Sequence, residues 1–301
     1  MSYSARAETR HAYLLLALPA VIVYLAVIAF PTVFSFGLSL TDYKGGPLFG
    51  GLNAIRFVGI DHYVKMFGDR FFWISLQNNV YIILVSVFGQ IPIGFTVAYV
   101  LYRKLVGMRD LFQTMIYLPT VISTIVIGVL WRSFFSPYGP FTQLMELIRP
   151  GWDNTLFLNP STAMIPVLFV ILWMYTGTYL IIFLASLQKI DPQIIDAAKI
   201  DGASEWQVLG RVALPSLSGV ILTTVILAIS GSLKSFDLLF AMTAGNPARR
   251  TSVLALYMYD NAFRGSPDYG LANAVSTFMV MLSFALVLIL VVLEKRWGGG
   301  E

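Results

Sequence analysis

Residues 191–215, DPQIIDAAKIDGASEWQVLGRVALP, decide how this chain is read. They are polar and broken by turn signals, yet they lie between two of the most apolar runs of the sequence. Asp191-Pro192 has the form of an N-cap followed by a first helical residue, and Ile194, Ile195, Ala197, Ala198 and Ile200 supply an apolar face to a short helix. Gly202 ends it, because glycine takes the left-handed backbone of a helix C′ position without a steric cost. Ser204, with Gln207 three residues on, has the spacing of a capping box and opens a second helix carrying Trp206, Val208, Leu209 and Val212. The expected local structure is helix, turn, helix, running into Leu214-Pro215, where proline opens the next apolar run. Ala197 and Ala198 leave the first helix thin on one side, so a partner surface can approach its backbone closely.

Around this segment the chain is 57% hydrophobic and 12% charged over 301 residues, against roughly 25% charged in an ordinary soluble domain. Six apolar stretches each exceed the roughly 20 residues a helix needs to cross a bilayer. They run from Tyr13 to Leu40, Ile74 to Leu101, Phe112 to Phe134, Thr162 to Leu187, Leu214 to Asp237 and Ala272 to Leu293. The pattern predicts an all-α membrane protein with six transmembrane helices, a single transmembrane domain over residues 1–301. The inner loop from Gln188 to Ala213 lies between the fourth and fifth spans. Arg6 and Arg10 precede the first stretch as they would a signal peptide, but its apolar run is about twice the usual 7 to 15 residues, so it is read as a retained helix. Pro19, Pro31, Pro92, Pro119 and Pro166 predict kinked helices around a cavity, since neighbouring helices or waters satisfy the carbonyls that proline frees.

Several function classes fall away. A net charge of +4 is too small to indicate nucleic-acid binding. Cysteine is absent, which removes disulfides, thiolate nucleophiles and cysteine-held metals. No Walker-type glycine loop, metal-spaced histidine cluster or Ser/His/Asp constellation is present, and His11 and His62 are solitary. Placing both termini in the cytoplasm puts Arg6, Arg10, Arg103, Lys104, Arg109 and Lys189 among the inner basic residues, with a roughly twofold higher basic density on that side. The outer segments Thr41 to Trp73, Phe135 to Ser161 and Leu238 to Leu271 are rich in Gly, Pro and aromatics, as lids and short interfacial helices are.

The inner loop admits two readings from its residues alone: an amphipathic helix lying on the membrane surface, or an element that docks into another protein. Asp191, Asp196, Asp201 and Glu205 outnumber Lys189, Lys199 and Arg211, and an acidic loop is a poor match for an anionic leaflet. A protein partner fits better. With matching spacing, Asp196-Ala197-Ala198, Gly202 and Val212-Ala213-Leu214-Pro215 resemble the EAA loop of binding-protein-dependent ABC importer permeases, with Asp for the usual Glu and Val for the usual Ile.

The resemblance covers nearly the whole chain and points to the carbohydrate branch, the MalF/UgpA-like permeases. Leu18-Pro19-Ala20 with Ser39-Leu40-Thr41-Asp42-Tyr43 resembles the branch's first span, and Phe57-Val58-Gly59 with Asn78-Asn79 its approach to the second. Tyr117-Leu118-Pro119 with Trp131 and Tyr138-Gly139-Pro140 is similar to its third span and exit, and Lys234-Ser235-Phe236-Asp237 leading to Thr243-Ala244-Gly245-Asn246-Pro247 to its fifth. The resemblance implies a type I ABC importer permease fold in a bacterial or archaeal cytoplasmic membrane. It assigns Asp196, Ala197, Ala198, Gly202, Leu214 and Pro215 to ATPase coupling, through a helix seated in a cleft of the ATPase. It also implies a second permease subunit as heterodimeric partner, two ATPase subunits that bind ATP and Mg, and an extracellular solute-binding protein, with no cofactor and no catalytic or metal site in this chain.

A charged side chain inside the membrane costs about 3 kcal/mol on insertion scales and needs a partner, water or a function. Lys234 and Asp237, three apart, are expected on one helical face where they can pair, with Ser232 and Ser235 close to that face. The residues alone fit a helix end with a snorkelling lysine as well as a patch facing a lumen. The resemblance favours the lumen, and places Trp173, Tyr175, Gly177, Thr178, Ser232, Ser235 and Phe236 near the sugar-contacting positions of the branch's maltose permease. Such a set suits a carbohydrate, whose ring faces pack on aromatics and whose hydroxyls meet small polar groups. Gln90, with Gly89, Pro92 and Gly94, belongs either to a helix contact or to the pathway, and small neighbours favour packing. The competing functions are a permease for glycerol phosphate or another anionic sugar derivative, an ion-coupled carrier with paired broken helices, and a membrane enzyme using Lys234 and Asp237 as acid and base.

Overall fold

The computed structural model of the chain describes residues 16–46 and 55–297. Arg6, Arg10, His11 and Tyr13, at which the first apolar stretch begins, lie outside the described residues. Among the described residues every regular element is helical, apart from one antiparallel bridge between Thr41 and Phe57. Four helices are long and apolar enough to cross a membrane, and two bent pairs raise the number to six if each pair is one span. The chain divides into two compact units.

The first unit comprises the residues up to Gly68 together with Met258–Val280. Its longest helix, α1 (Leu16–Ser39), has none of its apolar window buried. Such a helix satisfies its backbone internally and offers hydrocarbon a largely apolar exterior, with exposed Thr32 turned back on the Ile28 carbonyl at 2.7 Å, which is what a bilayer requires of a crossing segment. α2 (Asp61–Gly68) and the first half of the long last helix complete the unit. Asp268 caps that last helix by accepting from the Leu271 N–H at 3.0 Å, and its other oxygen takes the Lys65 ammonium at 2.6 Å. Burial pulls the Asp268 carboxyl upward, but Lys65, the Leu271 N–H and His62 together hold it below the usual range. Gly270 lets the chain pass His62, because an added Cβ would lie 2.5 Å from the Thr41 carbonyl oxygen. Ser35 donates to Asn273 at 2.5 Å.

The second unit, Asp69–Tyr257 with the end of the chain from Met281, holds the main core. Its elements are α3 (Arg70–Tyr102), α4 (Arg109–Val121), α5 (Thr124–Phe134), α6 (Pro140–Ile148), α7 (Met164–Leu187), α8 (Pro192–Ile200), α9 (Glu205–Ser216), α10 (Ser218–Leu233) and α11 (Asp237–Met242). α12 (Leu254–Phe263) passes from this unit into the first, and α13 (Tyr269–Trp297) returns from it. α7 is the axis of the unit, with 56% of its apolar window buried. Glycines set its contacts. A Cβ on Gly94 of α3 would sit 2.8 Å from Tyr179 Cβ, and one on Gly177 of α7 would sit 2.5 Å from the Ile116 oxygen of α4. Close backbone approach of this kind is how membrane helices gain packing energy without a hydrophobic drive between them. Phe95 meets Phe183 edge-on at 5.3 Å, and the same cluster extends through Tyr99 and Leu187 to Ile195, Val208 and Ala213 of the inner loop.

The third and fifth apolar stretches, read from sequence as single spans, are each built of two helices. α4 meets α5 at 98°, and α9 meets α10 at 73°. Ile122 and Ser123 are extended (ψ 144° and 127°) just after Pro119, whose missing donor weakens the final turn of α4. The second bend falls at Leu217, so Pro215 lies near the end of α9 instead of opening the fifth span. Elsewhere proline bends the chain less. The π turns Leu25–Ala29, Ser86–Gln90 and Leu209–Ala213 each end two residues before a proline, Pro31, Pro92 and Pro215. One extra residue in the preceding turn moves the opposing carbonyl clear of the ring, and the helix continues through Pro31 and Pro92, whereas after Pro215 it ends at Ser216. Pro166 sits in the first turn of α7, where no intrahelical donor is missed.

Candidate functional site

Two places in the second unit concentrate polar chemistry. The first is a cavity of about 320 Å³ lined by α3, α5, α7, α10 and the segment from Lys234 to Leu238. From α7 come Ile171, Tyr175, Thr178 and Tyr179, whose spacing of four, three and one keeps them on one helical face. Ser86 and Gln90 enter from the π turn of α3, Thr124 from the first residue of α5, and Ser232 from the last turn of α10.

Of the pathway residues expected from the sequence, Tyr175, Thr178, Ser232, Lys234, Ser235, Phe236 and Asp237 line this cavity, and Trp173 and Gly177 do not. Each of the two lies two residues from Tyr175, about 200° around the helix, and so faces elsewhere. Trp173 packs edge-on against Trp131 at 5.3 Å, and Gly177 lies against Ile116 and Tyr117.

Lys234 and Asp237 do not share a helical face. α10 stops at Leu233, Lys234 to Phe236 are non-helical, and Asp237 begins α11. Buried Asn79 holds this end: its Nδ2 donates at 2.7 Å to the Ser232 carbonyl, the acceptor that a continuing helix would offer to residue 236. Asn79 Oδ1 meanwhile accepts from the Leu254 N–H at 2.8 Å, at the start of α12. Asn78 likewise binds the carbonyls of Arg250 and Ser252 at 2.8 and 2.7 Å. Among the described residues no ion pair within 4.0 Å joins Lys234 to Asp237, and both side chains are exposed. The signal for Asn79 was in the sequence: two amides inside an apolar run must find buried partners.

The second place is the inner loop. Asp191 accepts from the Gln193 N–H at 2.9 Å to start α8, and Gly202 turns the chain at φ +83°. Ser204 N donates to Gln207 Oε1 at 2.8 Å, and Gln207 N to Ser204 Oγ at 3.4 Å, which completes the capping box of α9. The apolar face expected for α8 divides in two. Ile195 is buried and Ala198 half-buried, while Ile194, Ala197 and Ile200, on the other side, are exposed beside Asp196. Ile200 and Trp206 are 86% and 78% exposed, so the outward surface of the helix pair is apolar with an acidic centre. Leu214 and Pro215 are exposed as well.

Glu205 fastens this pair to the end of α3. Its carboxylate accepts from Arg103 Nη2 at 3.1 Å, Arg103 Nε at 3.2 Å and the Tyr99 hydroxyl at 2.9 Å, and takes Lys199 Nζ at 2.7 Å. Four donors on one carboxylate join α8, α9 and α3, and the Tyr99 hydroxyl also reaches the Glu205 backbone carbonyl at 3.3 Å.

A family model for the inner membrane component of binding-protein-dependent transport systems matches residues 90–298. The lactose transport system permease protein LacF of Rhizobium radiobacter is 33% identical over 271 residues, covering 88% of this chain and 87% of its own. The trehalose/maltose transport system permease protein MalF of Thermococcus litoralis is 29% identical over 284 residues, with 93% and 92% covered. In fold, a chain from the crystal structure of a bacterial alginate ABC transporter, in complex with an alginate pentasaccharide-bound periplasmic protein, aligns at a TM-score of 0.80 with 23% identity over 96% of each chain.

Proposed function

Because the chain belongs to the family of inner membrane components of binding-protein-dependent transport systems, we propose that it is the permease subunit of an ATP-driven importer that passes a carbohydrate across the cytoplasmic membrane by alternating access. The observation that carries the substrate class is the lining of the cavity. Ser86, Gln90, Thr124, Tyr175, Thr178, Ser232 and Ser235 offer hydroxyl and amide groups beside the apolar surfaces of Phe236, Ile171 and Leu227. Its volume of about 320 Å³ lies at the lower end of the roughly 300–1,000 Å³ of small-molecule sites. Lys234 and Asp237 contribute one charge of each sign, a balance that suits a neutral ligand better than an anion. Lys234 alone would favour an anionic sugar derivative such as glycerol phosphate, and Asp237 beside it opposes that.

In this reading both termini are cytoplasmic, and the exposed face of α8 with Asp196, Ala197, Ile200 and Trp206 docks on an ATPase subunit. A second permease completes the pathway, two ATPases bind ATP and Mg, and a solute-binding protein delivers the sugar. ATPase closure displaces α8. The Glu205 cluster hands that displacement to Tyr99 and Arg103 at one end of α3, and α3 carries Ser86 and Gln90 at the cavity. No bond is made or broken in this chain; it converts a push into a change of access.

The test is uptake of radiolabelled lactose, trehalose, maltose and glycerol 3-phosphate by cells expressing the chain with its cognate partner permease, ATPase and binding protein. The expected result is saturable uptake of at least one neutral sugar that disappears when this chain or the ATPase is deleted and survives a protonophore at constant ATP. Uptake of glycerol 3-phosphate alone would transfer the assignment to an anionic derivative. Uptake abolished by the protonophore and indifferent to loss of the ATPase would make the chain an ion-coupled carrier.

A further inference from the structure

Gln90 lies within α3 with 1% of its surface exposed. Its Nε2 donates to the Ile171 carbonyl of α7 at 2.6 Å. A carbonyl can only accept, so this contact settles which end of the amide is nitrogen and which is oxygen. Among the described residues no donor reaches Oε1, and it is not one of the enclosed atoms left without a partner. Since Gln90 lines the cavity, its bare acceptor opens onto that space. A carbonyl oxygen in such a place is satisfied by water or by a donor on a ligand.

The backbone places the acceptor there. In the π turn Ser86–Gln90 the Ile91 N–H reaches the Ser86 carbonyl, and the extra residue turns Gln90 relative to the rest of α3. Ser86 Oγ lies 3.5 Å from Ser232 Oγ of α10, so hydroxyls from two helices stand in the same polar lining as the amide. Gln90 therefore does both things that its sequence context left as alternatives. Its nitrogen packs two helices together, and that same bond fixes the direction of its oxygen.

We propose that Gln90 is a specificity-determining residue of the cavity, whose Oε1 accepts a hydrogen bond from one hydroxyl of the transported carbohydrate. The inference rests on the carbohydrate-permease reading and adds an α3 wall to the pathway residues of α7 and α10. A sugar lacking that hydroxyl displaces water from Oε1 and returns nothing, which costs about three- to tenfold in discrimination for a single neutral hydrogen bond.

The experiment uses the complete transporter and whichever of lactose, trehalose and maltose the wild type takes up, with the full set of its monodeoxy analogues. Gln90→Met keeps the length of the side chain and removes the acceptor. Uptake efficiency of the variant is divided by that of the wild type for each compound, so recognition by the unchanged binding protein cancels. Because the variant also loses the donor to the Ile171 carbonyl, any structural loss is shared by all compounds; beyond it, the parent sugar and every analogue that keeps the critical hydroxyl are expected to fall about three- to tenfold further than the one analogue that lacks it. A uniform fall across all analogues would mark Gln90 as purely structural, and no fall at all would remove it from the site; either overturns the inference while wild-type uptake leaves the permease reading standing. Wild-type uptake of none of the three sugars would overturn the reading itself, and the inference with it. Should Gln90→Met fail to reach the membrane, the absence of native cysteine allows Gln90→Cys as the only thiol of the chain. Its labelling by a methanethiosulfonate reagent is expected to slow in the presence of the transported sugar, and labelling that the sugar does not slow would overturn the proposal.

Discussion

Glu205 and Asp237 each begin a helix, α9 and α11, one before the fifth apolar stretch and one at its last residue, and they have opposite surroundings. Glu205 is held by Arg103, Lys199 and Tyr99, so its charge is spent inside the chain. Asp237, like Lys234 near it, forms no ion pair among the described residues and opens onto a cavity. A carboxylate matched by its own chain serves to hold elements together. A charge left unmatched in a concave site is available to a ligand.

The comparison breaks most visibly at Gly202, on which the position of the Glu205 cluster depends. Nothing lies within 4 Å of where a Cβ would be, so the only obstacle to substitution is the backbone at φ +83°. A non-glycine residue pays about 1–2 kcal/mol there, more if β-branched and less if asparagine. Gly202→Val is expected to cut sugar uptake below about a tenth at equal membrane abundance, with Gly202→Asn between it and the wild type. Wild-type uptake by the valine variant would remove this turn from the coupling path.

A double-mutant cycle on Arg103 and Glu205 sharpens the inner half of the comparison. Their side chains are 16% and 35% exposed, between the surface and buried regimes, so solvent screening reduces the coupling to about 1 kcal/mol. Glu205→Ala is expected to lower the melting temperature of the detergent-solubilised complex by about 2–4 °C and to reduce uptake, with Arg103→Ala adding little once Glu205 is gone. Full additivity of the two would mean that the residues do not act together.

For Lys234 and Asp237 the expectation is reversed. Lys234→Met and Asp237→Asn should change stability by no more than about 0.5 kcal/mol, as for exposed residues without partners, while shifting selectivity. Removing the carboxylate leaves Lys234 uncompensated, so glycerol 3-phosphate should inhibit sugar uptake better in Asp237→Asn than in the wild type. Competition curves measure this, and identical curves would detach the two charges from the pathway.

These contrasts also show what the sequence makes legible. The inner loop can be read residue by residue because its signals are local: the Asp191 cap, the Gly202 turn and the Ser204–Gln207 box each need only neighbours three or four residues away, and each forms. The end of α10 could not be read that way. Apolar periodicity runs on past Leu233, and the partner that satisfies the Ser232 carbonyl where the helix stops is Asn79, 153 residues earlier. The same distance dependence explains Trp173 and Gly177, which share a helix with Tyr175 and Thr178 but face Trp131 and Ile116. Proline lies between these cases. The sequence marks Pro31 and Pro92 as kinks and Pro215 as the opening of a span, but only the fold shows each preceded by a widened turn that ends two residues upstream.

Asp268 in the first unit provides the smallest and most selective check. Like Glu205 it is paired, with Lys65 and the Leu271 N–H, so it should matter for stability and not for which sugar passes. Its carboxyl titrates below the usual range in the fold, whereas in the unfolded chain it titrates near about 3.9. A carboxylate lowered by folding contributes stability that is complete above the unfolded value and is lost as pH falls through the folded one. Asp268→Asn should therefore lower the melting temperature equally at pH 7 and pH 5.5, and the gap to the wild type should narrow below about pH 4. Uptake ratios among sugars should be the same in variant and wild type. A change in those ratios would place a paired carboxylate in selectivity, and pairing would then no longer separate the residues that hold this chain together from those that meet its cargo.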